Sequence, residues 1–386
     1  MPKRRRRMEE QRHLYLILDD CPQGYNIRKI DLLADDLCQM LTIEDCTYAR
    51  SQSLPSAIFS FGAERGMPHY FAGAFDSKIL AMPQPINFAM DGKPMDDIPV
   101  YDVRMKSFMF GPQRCLEPND PIYIPVSGRL FALADGSFEL LYPPPRDEFT
   151  WEDFVWAWNK LPDLTFQSEH VTSYAVHPDG QTIFVSIWDW DCAVPVTLSF
   201  NTMENVIRDS KWKQHGQWKL PFIGQAYFDP ELDAWVGLSK DPYGWICSCD
   251  VVSTNLDTSL PQCPPLKLSK EKLFNKDGKH EQLLGVKLVY LDSVSKYCLV
   301  EYLVIHAKVA EALAVPDHAM FIVRPIRTQD WGECQKVKPI LRLTTFSLKY
   351  DKKGELTRSN SCWIRCYSLP EEVTREMLAE PVAFWM

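Results

Sequence analysis

Apolar residues in this chain come in short runs, and the runs come in pairs joined by a polar turn. Phe71–Phe75 passes through Asp76-Ser77 into Ile79–Met82, and Ile122–Val126 passes through Ser127-Gly128 into Leu130–Leu133. Tyr174–Val176 turns at His177-Pro178-Asp179-Gly180 into Ile183–Val185, and Ala226–Phe228 turns at Asp229–Asp233 into Trp235–Leu238. Leu288–Leu291, Ser293-Val294 and Tyr297–Val300 make a fifth pair. Runs of this length, rich in β-branched and aromatic residues and bounded by Asp, Ser and Gly, predict β-hairpins. The Asp179-Gly180 pair supplies the positive φ that a tight turn needs.

The pairs recur about every 50 residues, which is the length of a kelch blade and too long for most helical repeats. Further strands are predicted between them, at 100–103, 107–110, 138–141, 196–200 and 245–252. Trp158-Asn159-Lys160-Leu161-Pro162 and Trp218-Lys219-Leu220-Pro221 stand in matching contexts, as expected of bulky residues that fill the space between neighbouring blades. The expected fold class is all-β: a kelch-like β-propeller, with six blades favoured and seven the alternative.

Three strands are expected near the start, at 14–18, 25–30 and 57–61. Trp363–Ser368 is expected to pair with the first blade and close the ring, removing an exposed sheet edge. Helix is expected at Glu301–Leu313, an alanine-bearing stretch that Pro316 would end. Leu33–Gln52, Pro83–Pro99 and Ser253–Gln282 read as long loops. The expected organisation is a disordered basic terminus at 1–12, the propeller over 13–370 and a C-terminal tail at 371–386.

Charge narrows the classes of function. The chain holds 51 acidic and 42 basic residues, a formal net charge of −9, which argues against a surface built to collect nucleic-acid phosphates. Lys3, Arg4, Arg5, Arg6 and Arg7 are the exception, and such a run is either a nuclear-import signal or a solvated, disordered terminus. Leu14–Leu18 is too short for a secretory h-region, and no run approaches the ~20 apolar residues of a membrane span. The expected location is cytoplasm or nucleus, where the twelve cysteines would be reduced thiols.

Several longer strings carry a resemblance. They are His13-Leu14-Tyr15-Leu16 with Gly24-Tyr25 and Arg28-Lys29-Ile30, Asp76–Met82, His170–Gly180 and Asp229–Leu238. Together they resemble a plant family of unknown function, greatly expanded in grasses and kelch-like in appearance, over residues 13 to about 369. The resemblance implies a plant protein and a repeat fold, and it brings no catalytic residues. Many plant kelch propellers follow an F-box; with 13 residues before the first strand, no such helix bundle is expected ahead of it.

Candidate chemistry is sparse. Cys247 and Cys249 lie at i and i+2 with no second pair at zinc-finger spacing, so no metal site and no cofactor are expected. No nucleophile elbow, zinc-binding helix or phosphate-cradling loop is present. Aromatic density is the stronger signal: Trp151, Phe154, Trp156 and Trp158 crowd one segment, and Trp188-Asp189-Trp190-Asp191 another. Trp156 and Trp158 are expected to pack between blades. The second lies between the strands expected at 183–187 and 196–200; if exposed, it would offer rings and carboxylates to a basic protein partner. The expected function is a non-enzymatic protein-interaction scaffold binding through its loops. The alternative is an enzyme or small-molecule binder using the central channel.

Overall fold

The structure is a computed structural model that describes residues 11–21, 24–32, 51–63, 70–82, 97–112, 121–135, 137–145, 156–189, 193–203, 207, 210–254, 263–275, 281–292, 295–305 and 339–386. Nearly all of its regular structure is β, and the sheets are mainly antiparallel.

Strands β1 (Leu14–Cys21), β2 (Gly24–Ile30) and β4 (Ala57–Gly62) join a strand from the far end of the chain in one sheet, while β3 (Gln52–Ser53) pairs elsewhere. Next come β5 (Tyr70–Ala74), β6 (Lys78–Met82), β7 (Asp97–Asp102) and β8 (Ser107–Pro112), then β9 (Ile122–Val126), β10 (Arg129–Ala134), β11 (Ser137–Leu141) and β12 (Trp158–Lys160). Each set forms a four-stranded sheet in chain order.

An eight-stranded sheet consists of two antiparallel sets. The first is β13 (Val171–Val176), β14 (Thr182–Asp189), β15 (Val194–Asn201) and β16 (Lys213–Gly216). The second is β17 (Phe222–Asp229), β18 (Ala234–Ser239), β19 (Ile246–Asp250) and β20 (Leu266–Leu268). The two sets join through a parallel pairing of β13 with β17, Ser173 opposite Gly224. The last sheet runs β21 (Glu281–Tyr290), β22 (Lys296–Ile305), β23 (Pro339–Tyr350), β24 (Leu356–Ser368) and then β3. Helix α1 (Arg375–Ala379) and strand β25 (Val382–Trp385) follow.

The expected hairpins form where their turn residues stand. Ser127 and Gly128 both take positive φ, 51° and 70°, as a two-residue hairpin turn requires. At the β13–β14 turn, Asp179 Oδ1 accepts from the backbone N–H groups of Gln181 and Thr182, and Oδ2 from the Thr182 hydroxyl. Asp229, fully buried at the β17–β18 turn, accepts from Glu231 and Leu232 backbone N–H groups and from the hydroxyls of Ser295 and Tyr297. A short aspartate that holds the backbone two and three residues on is the physical reason these turns recur.

Each sheet buries its faces against a neighbour. The β5–β8 and β9–β12 sheets share a core of Leu80, Val100, Leu130 and Trp158. Phe131, Phe138, Val185 and Phe200 fill the next interface, and Phe184, Trp218, Phe222 and Trp235 the one after. Val236, Phe274, Tyr297 and Phe346 bridge β18 to the β21–β24 sheet, which packs through Val300, Tyr302 and Leu341 on Leu16, Ile17 and Tyr25. Tyr25 and Phe71, with ring centroids 5.2 Å apart, lead back to β5. Burying each such aromatic side chain contributes about 1.5–3 kcal/mol. Trp158 and Trp218 thus sit where sheet-to-sheet packing was expected.

Four expectations are corrected. First, Trp363–Ser368 pairs with β23 and β3 as part of β24. The strand that completes the first sheet is β25, with Leu14 opposite Trp385 and Ile17 opposite Val382. The segment 371–386, expected as a tail, therefore holds α1 and β25. Second, Glu301–Ile305 is strand: β22 lies between β21 and β23, and Tyr302, Leu303 and Val304 favour a pleated, buried surface over a helix. The rest of the expected helix, 306–313, lies outside the described residues. Third, the loops expected at Pro83–Pro99 and Ser253–Gln282 give up residues to β7, β20 and β21. Fourth, Cys366 is disulfide-bonded; cysteine spacing alone does not show which thiols the fold brings together.

Candidate functional site

The Trp-Asp segment lies at the end of a strand. Trp188 and Asp189 belong to β14, paired with Pro195 and Val194, so the connection to β15 is shorter than expected. Tryptophan suits the ladder, and the strand runs on until the turn. Trp188 is half-buried, while Trp190, Asp191 and the basic run Lys3–Arg7 lie outside the described residues. The other aromatic cluster behaves as packing: Trp158 is buried and Trp156 donates its indole N–H to the Tyr142 carbonyl at 2.8 Å. Trp151 and Phe154 lie outside the described residues.

An apolar surface lies on β8 and on the turn that precedes it. Met105, Phe108, Met109 and Phe110 are 71%, 41%, 37% and 59% exposed. Among the described residues β8 pairs only with β7 and stands at the edge of its sheet. Phe108 stacks on Phe59 of β4 at 5.6 Å, and Phe59 stacks in turn on Tyr101 at 4.4 Å. Ile58 beside it is also exposed. The rings are thus held in place by the neighbouring sheet while their outer surfaces stay open. From sequence, Phe108–Phe110 reads as an ordinary buried strand, so nothing in its pattern signals this exposure.

The first strands of successive sheets crowd one another with side chains. Tyr227 donates to the Leu288 carbonyl at 3.1 Å, and Gly73 lies so close to Phe384 and Met386 that an added Cβ would meet both at 2.7 Å. Lys287 lies over the Phe384 ring at 5.0 Å, and burial pushes its ammonium pKa down to about 8 against the opposing pull of Glu380. Burial raises Tyr174 to about 12.

Two buried polar groups resemble catalytic pairs. The Ser199 hydroxyl and His215 Nε2 are 2.8 Å apart. Both are almost inaccessible, and His215 Nδ1 has no hydrogen-bond partner. Burial, then Lys213, lowers the His215 pKa. A base needs an orienting partner and a substrate within reach, and this pair has neither among the described residues. Arg342 is clamped bidentately by Glu301, at 2.9 and 3.0 Å, and its remaining nitrogen donates to Glu281 at 2.8 and 3.0 Å. Cys247 and Cys249 are buried between sheets, which pushes the Cys247 thiol up to about 12; they are inert packing. His177 is a turn residue, 3.0 Å from Asp179. Among the described residues, no group of three or more His, Cys, Asp or Glu side chains is placed to hold a metal ion.

The architecture defines a class, an all-β protein of mainly antiparallel sheets packed face against face. The chain belongs to the family described as a protein of unknown function, DUF1668, whose model matches residues 11–367. No curated protein matches the chain in sequence. Among solved structures, the periplasmic gluconolactonase PpgL of Pseudomonas aeruginosa is similar at 11% identity and a TM-score of 0.43, over 93% of this chain and 99% of that one.

Proposed function

We propose that this chain is a protein-interaction scaffold: a kelch-like β-propeller of plant origin with six blades, acting in the cytoplasm or nucleus. The blade count takes each four-stranded antiparallel set as one blade, and the roughly 50-residue recurrence of the hairpins supports the kelch type. Lys3–Arg7 would serve nuclear import.

The observation that carries the proposal is the open Met-Phe surface of β8. Folded monomers seldom leave adjoining Phe and Met side chains uncovered, and both residue types are enriched at interfaces. Ser107–Pro112 carries no charge to blunt the edge, and an uncharged edge strand is a template for another strand. The occupant is therefore an extended segment of a protein partner that adds to β8, with alternate side chains against Phe108 and Phe110. Trp188, Asp189, Trp190 and Asp191 form a second contact, suited to lysine or arginine on the partner.

The test is recovery of partners from the native tissue, followed by binding of the purified principal partner to Met109→Lys and Phe110→Asp. Both substitutions fall on exposed positions, so melting temperature should hold while affinity falls at least about tenfold. Unchanged affinity in both folded variants overturns the β8 assignment. Loss in Trp188→Ala alone, at an unchanged melting temperature, moves the interface to the end of β14.

The alternative is small-molecule chemistry at the centre of the ring.

A further inference from the structure

An open groove of 560 Å³ is lined by Ser127, Gly128, Arg129, Tyr142, Pro143, Gln181 and Met203. It lies where the β9–β10 turn meets the β13–β14 turn, and the Ser127 hydroxyl donates to the Gly180 carbonyl across that join. Its size is in the range of small-ligand sites.

Arg129 is the unusual member. It is nine-tenths buried, and Nη2 donates to the Thr202 carbonyl at 2.9 Å. Nη1 is shielded from water and has no hydrogen-bond partner. Among the described residues, no carboxylate lines the groove. The nearby Asp179 is already engaged by Gln181, Thr182 and His177. A guanidinium keeps its charge at any physiological pH, so it cannot escape burial by losing a proton. Burying a charge without a counter-ion is costly, and a bound anion removes that cost.

We propose that this groove binds the carboxylate of a small organic acid, with Arg129 as the counter-ion. One guanidinium with no second cation among the described lining residues suits a single negative charge better than the double charge of a phosphate monoester. The Tyr142 hydroxyl and the Gln181 side-chain amide, neither with a hydrogen bond among the described residues, supply further donors. Pro143 and the Tyr142 ring receive the apolar body of the ligand. Met203, unbranched and 39% exposed, is the pliable wall that shifts to admit the carboxylate to Nη1. This site is independent of β8 and needs no protein partner.

The test titrates the purified full chain with benzoate, inorganic phosphate and neutral benzamide, followed by calorimetry and by chemical-shift change of labelled methionine methyls. Benzoate should saturate a single site, with phosphate and benzamide weaker by about tenfold or more, the worth of a charged hydrogen bond. Met203→Glu, an exposed position that keeps the fold, places a competing carboxylate in the groove and should weaken benzoate at least about tenfold while raising the melting temperature. Arg129→Gln should abolish binding. The proposal is overturned if wild type shows no saturable benzoate site, if phosphate binds more tightly, or if folded Met203→Glu binds benzoate as wild type does.

Discussion

Arg342 lies between two glutamates with almost no access to water; its side chain and that of Glu301 are 2% and 0% exposed. The two carboxylates hold the guanidinium firmly charged, raising its pKa despite the opposing effect of burial. Removing one partner of such a group leaves uncompensated charge, so Arg342→Leu should cost about 3–5 kcal/mol in urea unfolding. Replacing Arg342, Glu301 and Glu281 together with leucine should recover most of that loss. A loss in the single variant too small to resolve would mean that water reaches the glutamates. None of this was legible in the chain order. Glu301 and Arg342 are 41 positions apart, and only the β22–β23 register sets them opposite each other. The same holds for Arg129, whose partner Thr202 directly follows β15 of a different sheet.

The hairpins were the most legible elements, because their turns are written locally: Asp179, Gly180, Ser127 and Gly128 act on backbone within three residues of themselves. What failed was set by distant packing, although Trp158 and Trp218 were read correctly as filling the space between sheets. The segment from Glu301 was expected as helix because its alanines favour one, yet two flanking strands claim its first five residues. The strand β25 is short and follows directly on α1, so nothing local marks it as the strand that completes the first sheet. Exposure on β8 is invisible for the same reason, since a Phe-Met-Phe run gives no sign of whether a neighbour covers it. Packing also explains Gly285 of β21. An added Cβ there would meet the carbonyl oxygens of Leu378 and Ala379 at 2.2 and 2.5 Å, and backbone does not yield as a flexible side chain does. Gly285→Val should therefore push α1 off the sheet at a cost of about 1–3 kcal/mol. Faster limited proteolysis around Arg375 would report it, and an unchanged cleavage rate would show that the contact is loose.

Across the molecule, the two ends of the described chain meet. The His13 N–H donates to the Met386 carbonyl at 2.7 Å, and the Met386 N–H returns to His13 at 3.1 Å. Four register pairs follow between β1 and β25. Ending the chain at Pro381 removes these bonds and uncovers the β1 edge. The truncated protein should lose about 4 kcal/mol or more, at roughly 1 kcal/mol for each lost pair with burial added, and should aggregate on heating. A melting curve that matches the full chain would show that the first sheet stands without β25.

This pairing also bears on how the protein reaches its native state. The partners Leu14 and Trp385 are about 370 residues apart along the chain, so the loop they close takes in all the other sheets. Such a contact carries a large entropic cost until the intervening sheets have formed, and high contact order slows folding. During synthesis the first sheet must wait, one strand short, until the intervening sheets have emerged. That edge of β1 is the surface a chaperone would have to guard longest.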